Sequence, residues 1–243
     1  MLILIIILIF LLAGVVKGVI GLGLPTIAMG LLTLFFPPAV AAGLLIIPSL
    51  VTNIWQLWLG ENFWPLFKRL WPMILGIVIG TLWSILPPLT SSNSWVGSAL
   101  GIILCLYGIW GIAGKKLPNA VKNEHWLSPL VGYITGTITA ATGVFVLPAV
   151  PYLQTLHLNK NQLIQALGLS FTASTIALAI QLLIQADLPT VNYGLSILAV
   201  VPALIGMYFG QLLRNIISEQ VFRRYFFIGL ILLGSYMIIK DLL

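Results

Sequence analysis

The first 36 residues constrain the fold most. Met1 to Phe36 is one apolar run, yet a hydrocarbon core of about 30 Å needs only about 20 helical residues. Near its middle lies Gly14-Val-Val-Lys17-Gly18-Val-Ile-Gly21-Leu-Gly23-Leu-Pro25-Thr26, with clustered glycines, a proline and the chain's one mid-segment lysine. Glycine and proline there free backbone groups that lipid cannot satisfy, so the break must face protein or a wet cavity. A broken helix also presents helix N-termini whose bare N–H groups attract anions.

A second long run, 126–156, repeats the device. Gly132 and Gly136 stand 118 residues after Gly14 and Gly18, and Gly143 and Pro148 mark its break. Downstream, Gly80 matches Gly206, Ser92 matches Ser218 and Gly108 matches Gly234 at an offset of 126. The chain therefore reads as a tandem of two membrane repeats, 1–113 and 126–243, joined by the polar linker 114–125 within one membrane domain.

Composition fixes the solvent. With 60% hydrophobic and 7% charged residues, no stretch is polar and long enough to fold in water by itself, so an integral membrane protein is expected. The net charge of +6 is spread over short loops. It reads as a topology signal, and nucleic-acid binding is not expected. No Lys or Arg precedes the first run and no small-residue cleavage pattern follows it, so a removable signal peptide is not expected. A single cysteine, Cys105, excludes an internal disulfide; it reads as a small core residue.

Between the long runs lie apolar segments at about 38–59, 70–89 and 95–113, then 163–185, 193–213 and 224–241. Eight plain crossings would divide Lys68, Arg69, Lys115, Lys116 and Lys122 from Lys160, Arg214, Arg223 and Arg224. If each long run instead dips in, breaks and returns, all of these share one face, as the positive-inside rule favours. Lys240, Asp187 and Asp241 then lie on the other face. The expected fold is all-α: two inverted repeats, each a glycine-broken re-entrant hairpin plus three transmembrane helices, eight hydrophobic segments in all. The substrate site would lie at the midplane between the two breaks. Loops 60–70, 114–125, 157–161 and 213–224 would be cytoplasmic and both termini periplasmic or extracellular. Trp55, Trp58, Trp64, Trp71 and Trp126 read as interfacial anchors.

All five acids, Glu61, Glu124, Asp187, Glu219 and Asp241, fall in loops or at the terminus. Carriers of cations usually need an intramembrane carboxylate, so a cation substrate is disfavoured. Lys17 is the ionisable group well inside a segment. Either an anion is its partner, or it snorkels to the interface or gives up its charge. Ser49, Thr52, Asn53 and Gln56 share a helix face, answered by Gln165, Ser170, Thr172, Ser174 and Thr175, while Thr135, Thr139 and Thr142 line the second hairpin. Such hydroxyls and amides either surround a desolvated oxyanion or serve as interhelical glue. The candidate substrate-binding set is Lys17, Gly21, Gly23, Thr26, Asn53, Thr139, Thr142, Gly143, Ser170 and Ser174. The Gly-x-x-x-Gly pairs at 14–18, 76–80, 132–136 and 206–210 also suit close helix packing. His125 and His157 lack partners at metal-ligand spacing, so no metal and no cofactor are expected.

On these glycine motifs and their repeat the chain resembles the sulfite exporter TauE/SafE family, the TSUP permeases, over nearly its whole length. The family pattern Gly-x-x-x-Gly-x-x-Gly-x-Gly-Gly-Gly is met by Gly14, Gly18, Gly21 and Gly23, but Leu24 and Pro25 replace its last two glycines. Gly132, Gly136, Gly143 and Pro148 form a looser second copy, and Pro38 to Asn53 is similar to the family's alanine-rich helix ending in a Ser/Thr/Asn cluster. The resemblance implies passage of sulfite, organosulfonates or thiosulfate across the bacterial inner membrane. The expected function is thus a secondary carrier of a small anion working by alternating access. A passive anion channel is the alternative, and an intramembrane enzyme is disfavoured because the core offers no acid, arginine or histidine. The expected partners are the anion and the lipid bilayer, with a homodimer left open.

Overall fold

A computed structural model describes residues 2–58, 60–90, 95–114, 120–185, 193–214 and 216–242. Lys115, Lys116, Asp187 and Ser92, used in the sequence reading, lie outside them. The described chain is helical: α1 (Leu2–Ile20), α2 (Leu24–Leu32), α3 (Pro38–Trp58), α4 (Phe63–Leu82), α5 (Trp95–Ala113), α6 (Glu124–Thr142), α7 (Ala149–Gln154), α8 (Lys160–Ile184), α9 (Tyr193–Leu198), α10 (Val200–Leu213) and α11 (Glu219–Leu242). Among the described residues, seven stretches are long and apolar enough to cross a membrane: α1, α3, α4, α5, α8, α9 with α10, and α11.

The fourth helix differs from expectation. It runs from Phe63 to Leu82 rather than over 70–89, and it contains Lys68 and Arg69 in its first two turns. Arg69 is held there by Glu124, with Nε and Nη2 donating to the two carboxylate oxygens at 2.7 Å each, while Nη2 also donates to Leu156 O at 3.2 Å. A paired arginine near a helix end needs no loop to carry it.

Glycine seams set the helix pairs. A Cβ on Gly14 or Gly18 would stand 2.3 Å from Ala203 O or Met207 O of α10, and one on Gly132 or Gly136 would stand 2.1 or 2.2 Å from Met73 O or Ile77 O of α4. Backbone meets backbone at these points, as small residues permit in lipid. The partners answer in kind: Gly206 and Gly210 lie against Leu11 O and Val15 O, while Gly76 and Gly80 lie against Pro129 O and Tyr133 O. Residue numbers rise together in both seams, so α1 runs parallel to α10 and α4 parallel to α6. By these contacts Gly76 is the counterpart of Gly206, one turn from the Gly80 pairing expected from sequence. In the third seam Gly101 meets Gly234 O and Gly108 meets Phe227 O, so α5 and α11 are antiparallel.

Two hydrogen-bond registers show the chain doubling back. Lys17 reaches Thr52 and Asn53, and Gly21 O accepts from Gln56 Nε2; α1 and α3 therefore run the same way, and residues 21–37 return between them. Asn62 N–H bonds Gln165 Oε1 at the start of α8, and Thr90 bonds Gln185 Oε1 at its end. Thus α4, α6 and α8 are parallel, and residues 143–159 also retrace their path.

Leu89 N–H donates to Ala140 O beside the Thr90–Gln185 bond, which sets the end of α6 level with the end of α8. Gly21 lies instead by Gln56 and Ile164, at the opposite end of α8. Between these levels the two returns meet, Gly143 packing against Met29 of α2.

With these directions, Lys68, Arg69, Lys122, Lys160, Arg214, Arg223 and Arg224 lie at helix ends sharing one side. Lys240 and Asp241 lie at the other, where Asp241 Oδ2 accepts from Ser98 Oγ at 3.0 Å.

Candidate functional site

Glycine stops α1 and starts α2. Gly21 and Gly23 have φ of 74° and 102°, values that cost a side-chain-bearing residue energy. Gly21 N–H closes the last turn on Lys17 O at 2.8 Å. Gln56 holds the turn by donating to Gly21 O at 3.0 Å. Pro25 lies in the first turn of α2, which begins with no side-chain cap, so its N-terminal amides keep their positive potential.

Lys17 is 3% exposed. Its ammonium donates to Asn53 Oδ1 and, at 3.2 Å, to Thr52 Oγ1. The network then crosses to α8. Asn53 Nδ2 donates to Ser49 Oγ at 3.2 Å and Thr175 Oγ1 at 3.4 Å. Thr175 gives its own proton to Phe171 O at 2.7 Å, so Ser49 is the donor in the 3.2 Å contact between their hydroxyls. An ammonium has three donors; two face neutral oxygens, and no carboxylate touches it. Buried positive charge without a counter-ion is costly, and the third N–H is without a protein acceptor among the described residues.

The other sequence candidates divide into two groups. Among the described residues, Thr26 in the first turn of α2 is fully buried with no partner for Oγ1, and Ser170 and Ser174 are buried on one face of α8, also without partners. These retain hydrogen bonds to give. Thr139 and Thr142 have none to spare. Thr139 Oγ1 donates to Thr135 O at 2.8 Å, with Val144 O at 3.3 Å, and Thr142 Oγ1 donates to Ile138 O at 2.7 Å. Val144 N–H donates back to Thr142 Oγ1 at 3.3 Å. Gly143, φ 71°, packs against Met29. The second break closes on itself, away from Lys17.

Thr52, Ser49, Gln56 and Thr175 belong with Lys17 and Asn53, although the candidate set omitted them. Their spacing on one face of α3 was the available signal; the crossing to Thr175 depends on a long-range register that spacing does not carry. Gln165 turns out to be a staple: Nε2 donates to Leu57 O and Gly60 O at 2.9 and 2.8 Å, and Oε1 accepts from Asn62 N–H.

Seven apolar helices of membrane length and a polar network sealed inside them define a multi-pass membrane protein. Its sequence matches the family model TauE, sulfite exporter TauE/SafE, over residues 6–237, and the chain belongs to that family of membrane transporters. No individual curated protein and no solved structure matches it.

Proposed function

We propose that this protein is a secondary carrier for a small anion, of the sulfite, thiosulfate or organosulfonate class, working by alternating access across the bacterial inner membrane. The observation that carries the reading is Lys17, buried beside a glycine turn and bonded to neutral oxygens alone. A tetrahedral or pyramidal oxyanion supplies the missing negative charge. Its oxygens accept from the third ammonium proton, from Thr26, and from the uncapped start of α2. Ser170 and Ser174 extend the donor surface along α8.

Two inverted repeats, 1–113 and 126–243, provide the moving parts in this reading. Its support is the matching of the α1–α10 and α4–α6 seams, residue for residue, and the opposite directions of α1 and α6. The side bearing Arg69, Lys122, Lys160, Arg214 and Arg223 is the cytoplasmic one by the positive-inside rule.

The test uses purified protein in liposomes loaded with unlabelled sulfite. Saturable counterflow of radiolabelled sulfite, lost in Lys17→Gln, is the expected result. Flux without counterflow would make the protein a channel, and unchanged counterflow in Lys17→Gln would remove the proposed site. In a Cys105→Ser background, Ile216→Cys and Lys122→Cys should label from one side of the membrane and Ile85→Cys from the other.

A further inference from the structure

Apart from the Lys17 network, the most conspicuous unmet polar groups lie where α5 ends and α11 begins. Tyr107 is fully buried and its hydroxyl has no partner among the described residues; Trp110 Nε1–H, three residues on, has none among them either. The two rings stack with centroids 6.0 Å apart and planes 12° from parallel. Phe227 stands edge-on to Tyr107 at 5.2 Å and Phe226 at 6.5 Å. The Arg223 guanidinium lies 5.8 Å from the Phe227 ring centroid. The Phe226 ring also lies 3.4 Å from where a Cβ on Gly23 would stand, so the aromatic cluster abuts the α1–α2 turn.

Buried donors left unmet are costly, and each calls for a ligand or an ordered water. Phenylalanine would fill either ring's place without that cost. The phenol O–H, the indole N–H and the guanidinium all offer protons, and indole and guanidinium can only donate. A donor set of this kind fits a ligand made of acceptor oxygens and carrying negative charge. The contact of Phe226 with Gly23 sets the cluster beside the glycine turn that carries the proposed Lys17 site.

We propose that Tyr107, Trp110 and Arg223 form a second oxyanion subsite, from which a sulfite-class anion passes to the Gly21–Gly23 turn and Lys17. The identity of the ligand rests on the function proposed above; the location of the subsite does not.

The test is sulfite binding to the purified full-length protein, followed by equilibrium dialysis with radiolabelled sulfite and by tryptophan fluorescence. Wild type should bind at two sites. Lys17→Gln should keep a sulfite-dependent fluorescence change, and Trp110→Phe should abolish it. Tyr107→Phe should weaken this site about tenfold and raise the counterflow KM in proportion, with the maximal rate within twofold. Both aromatic variants preserve a ring, and their melting temperatures report whether packing survives. Binding and KM within twofold of wild type in both Tyr107→Phe and Trp110→Phe would overturn the subsite while leaving the Lys17 reading intact. Loss of function in these variants, with Lys17→Gln silent, would uphold the subsite and overturn the Lys17 reading. No sulfite binding to wild type at all would overturn both.

Discussion

The two glycine turns are built alike and equipped differently. Gly14 and Gly18 pack α1 on α10 as Gly132 and Gly136 pack α6 on α4, carbonyl against glycine at matching positions. The polar content diverges. Beside the first turn, Lys17, Asn53 and Thr52 join in a buried network, and Thr26 has a hydroxyl to give. Counting 118 residues on from Lys17 gives Thr135, which donates to Val131 O of its own helix at 2.8 Å. Thr139 and Thr142 are likewise committed to nearby backbone. Packing has been kept in duplicate while charge has been kept once. A duplicated scaffold therefore need not imply two equal sites.

The sharpest way to break this comparison is to attack what the halves share. Gly18→Val and Gly136→Val each drive a side chain into backbone, where a Cβ already stands 2.3 and 2.2 Å from a carbonyl oxygen. Both should lose roughly 3 kcal/mol or more and fail to give a monodisperse peak in size-exclusion chromatography. One variant behaving like wild type would mean the seams are not equivalent.

The next effect should be one-sided. Lys17→Gln should cut counterflow about 100-fold, as expected when a charged hydrogen-bonding group worth about 3 kcal/mol is lost, whereas Thr135→Val should change it by no more than about twofold. Equal losses would return the site to both halves. Asn53→Ala should cost about tenfold in transport because it removes an acceptor from a buried ammonium. Thr142→Ala, which unpairs only Val144 N–H, should lower stability by about 1 kcal/mol with little change in rate. The smallest effect concerns the tie between halves. Arg69→Gln breaks a pair whose side chains are 34% and 16% exposed, so about 1 kcal/mol is expected after solvent screening. A double-mutant cycle with Glu124→Gln should assign most of it to the pair.

The membrane class, the position of the two breaks and the clustering of positive residues were all legible in the sequence, because glycine, proline and charge act locally. The meeting of the two breaks was not. Gly21 and Gly143 say where a helix stops, not what it then packs against, and the contact of Gly143 with Met29 of α2 is set by the folded chain. The α4 boundary was misplaced because Lys68 and Arg69 were read as loop residues, while Glu124, distant in sequence, permits Arg69 inside a helix. Within the proposed sites, Lys17 and Asn53 were recognisable as polar groups in apolar surroundings. Tyr107 and Trp110 were not, since an aromatic ring in an apolar segment is inconspicuous until its polar atom is found without a partner.

The long reach of the α1–α10 seam has a consequence for biosynthesis. Gly14 finds its berth on Ala203, so α1 waits for a helix made almost 190 residues later. At about 5–20 residues per second the delay is on the order of 10–40 s, during which α1 lies in the bilayer with its groove open to lipid. A helix carrying Lys17 must spend that interval shielded, which makes the insertion machinery or a neighbouring nascent segment a temporary host for the first half of the chain.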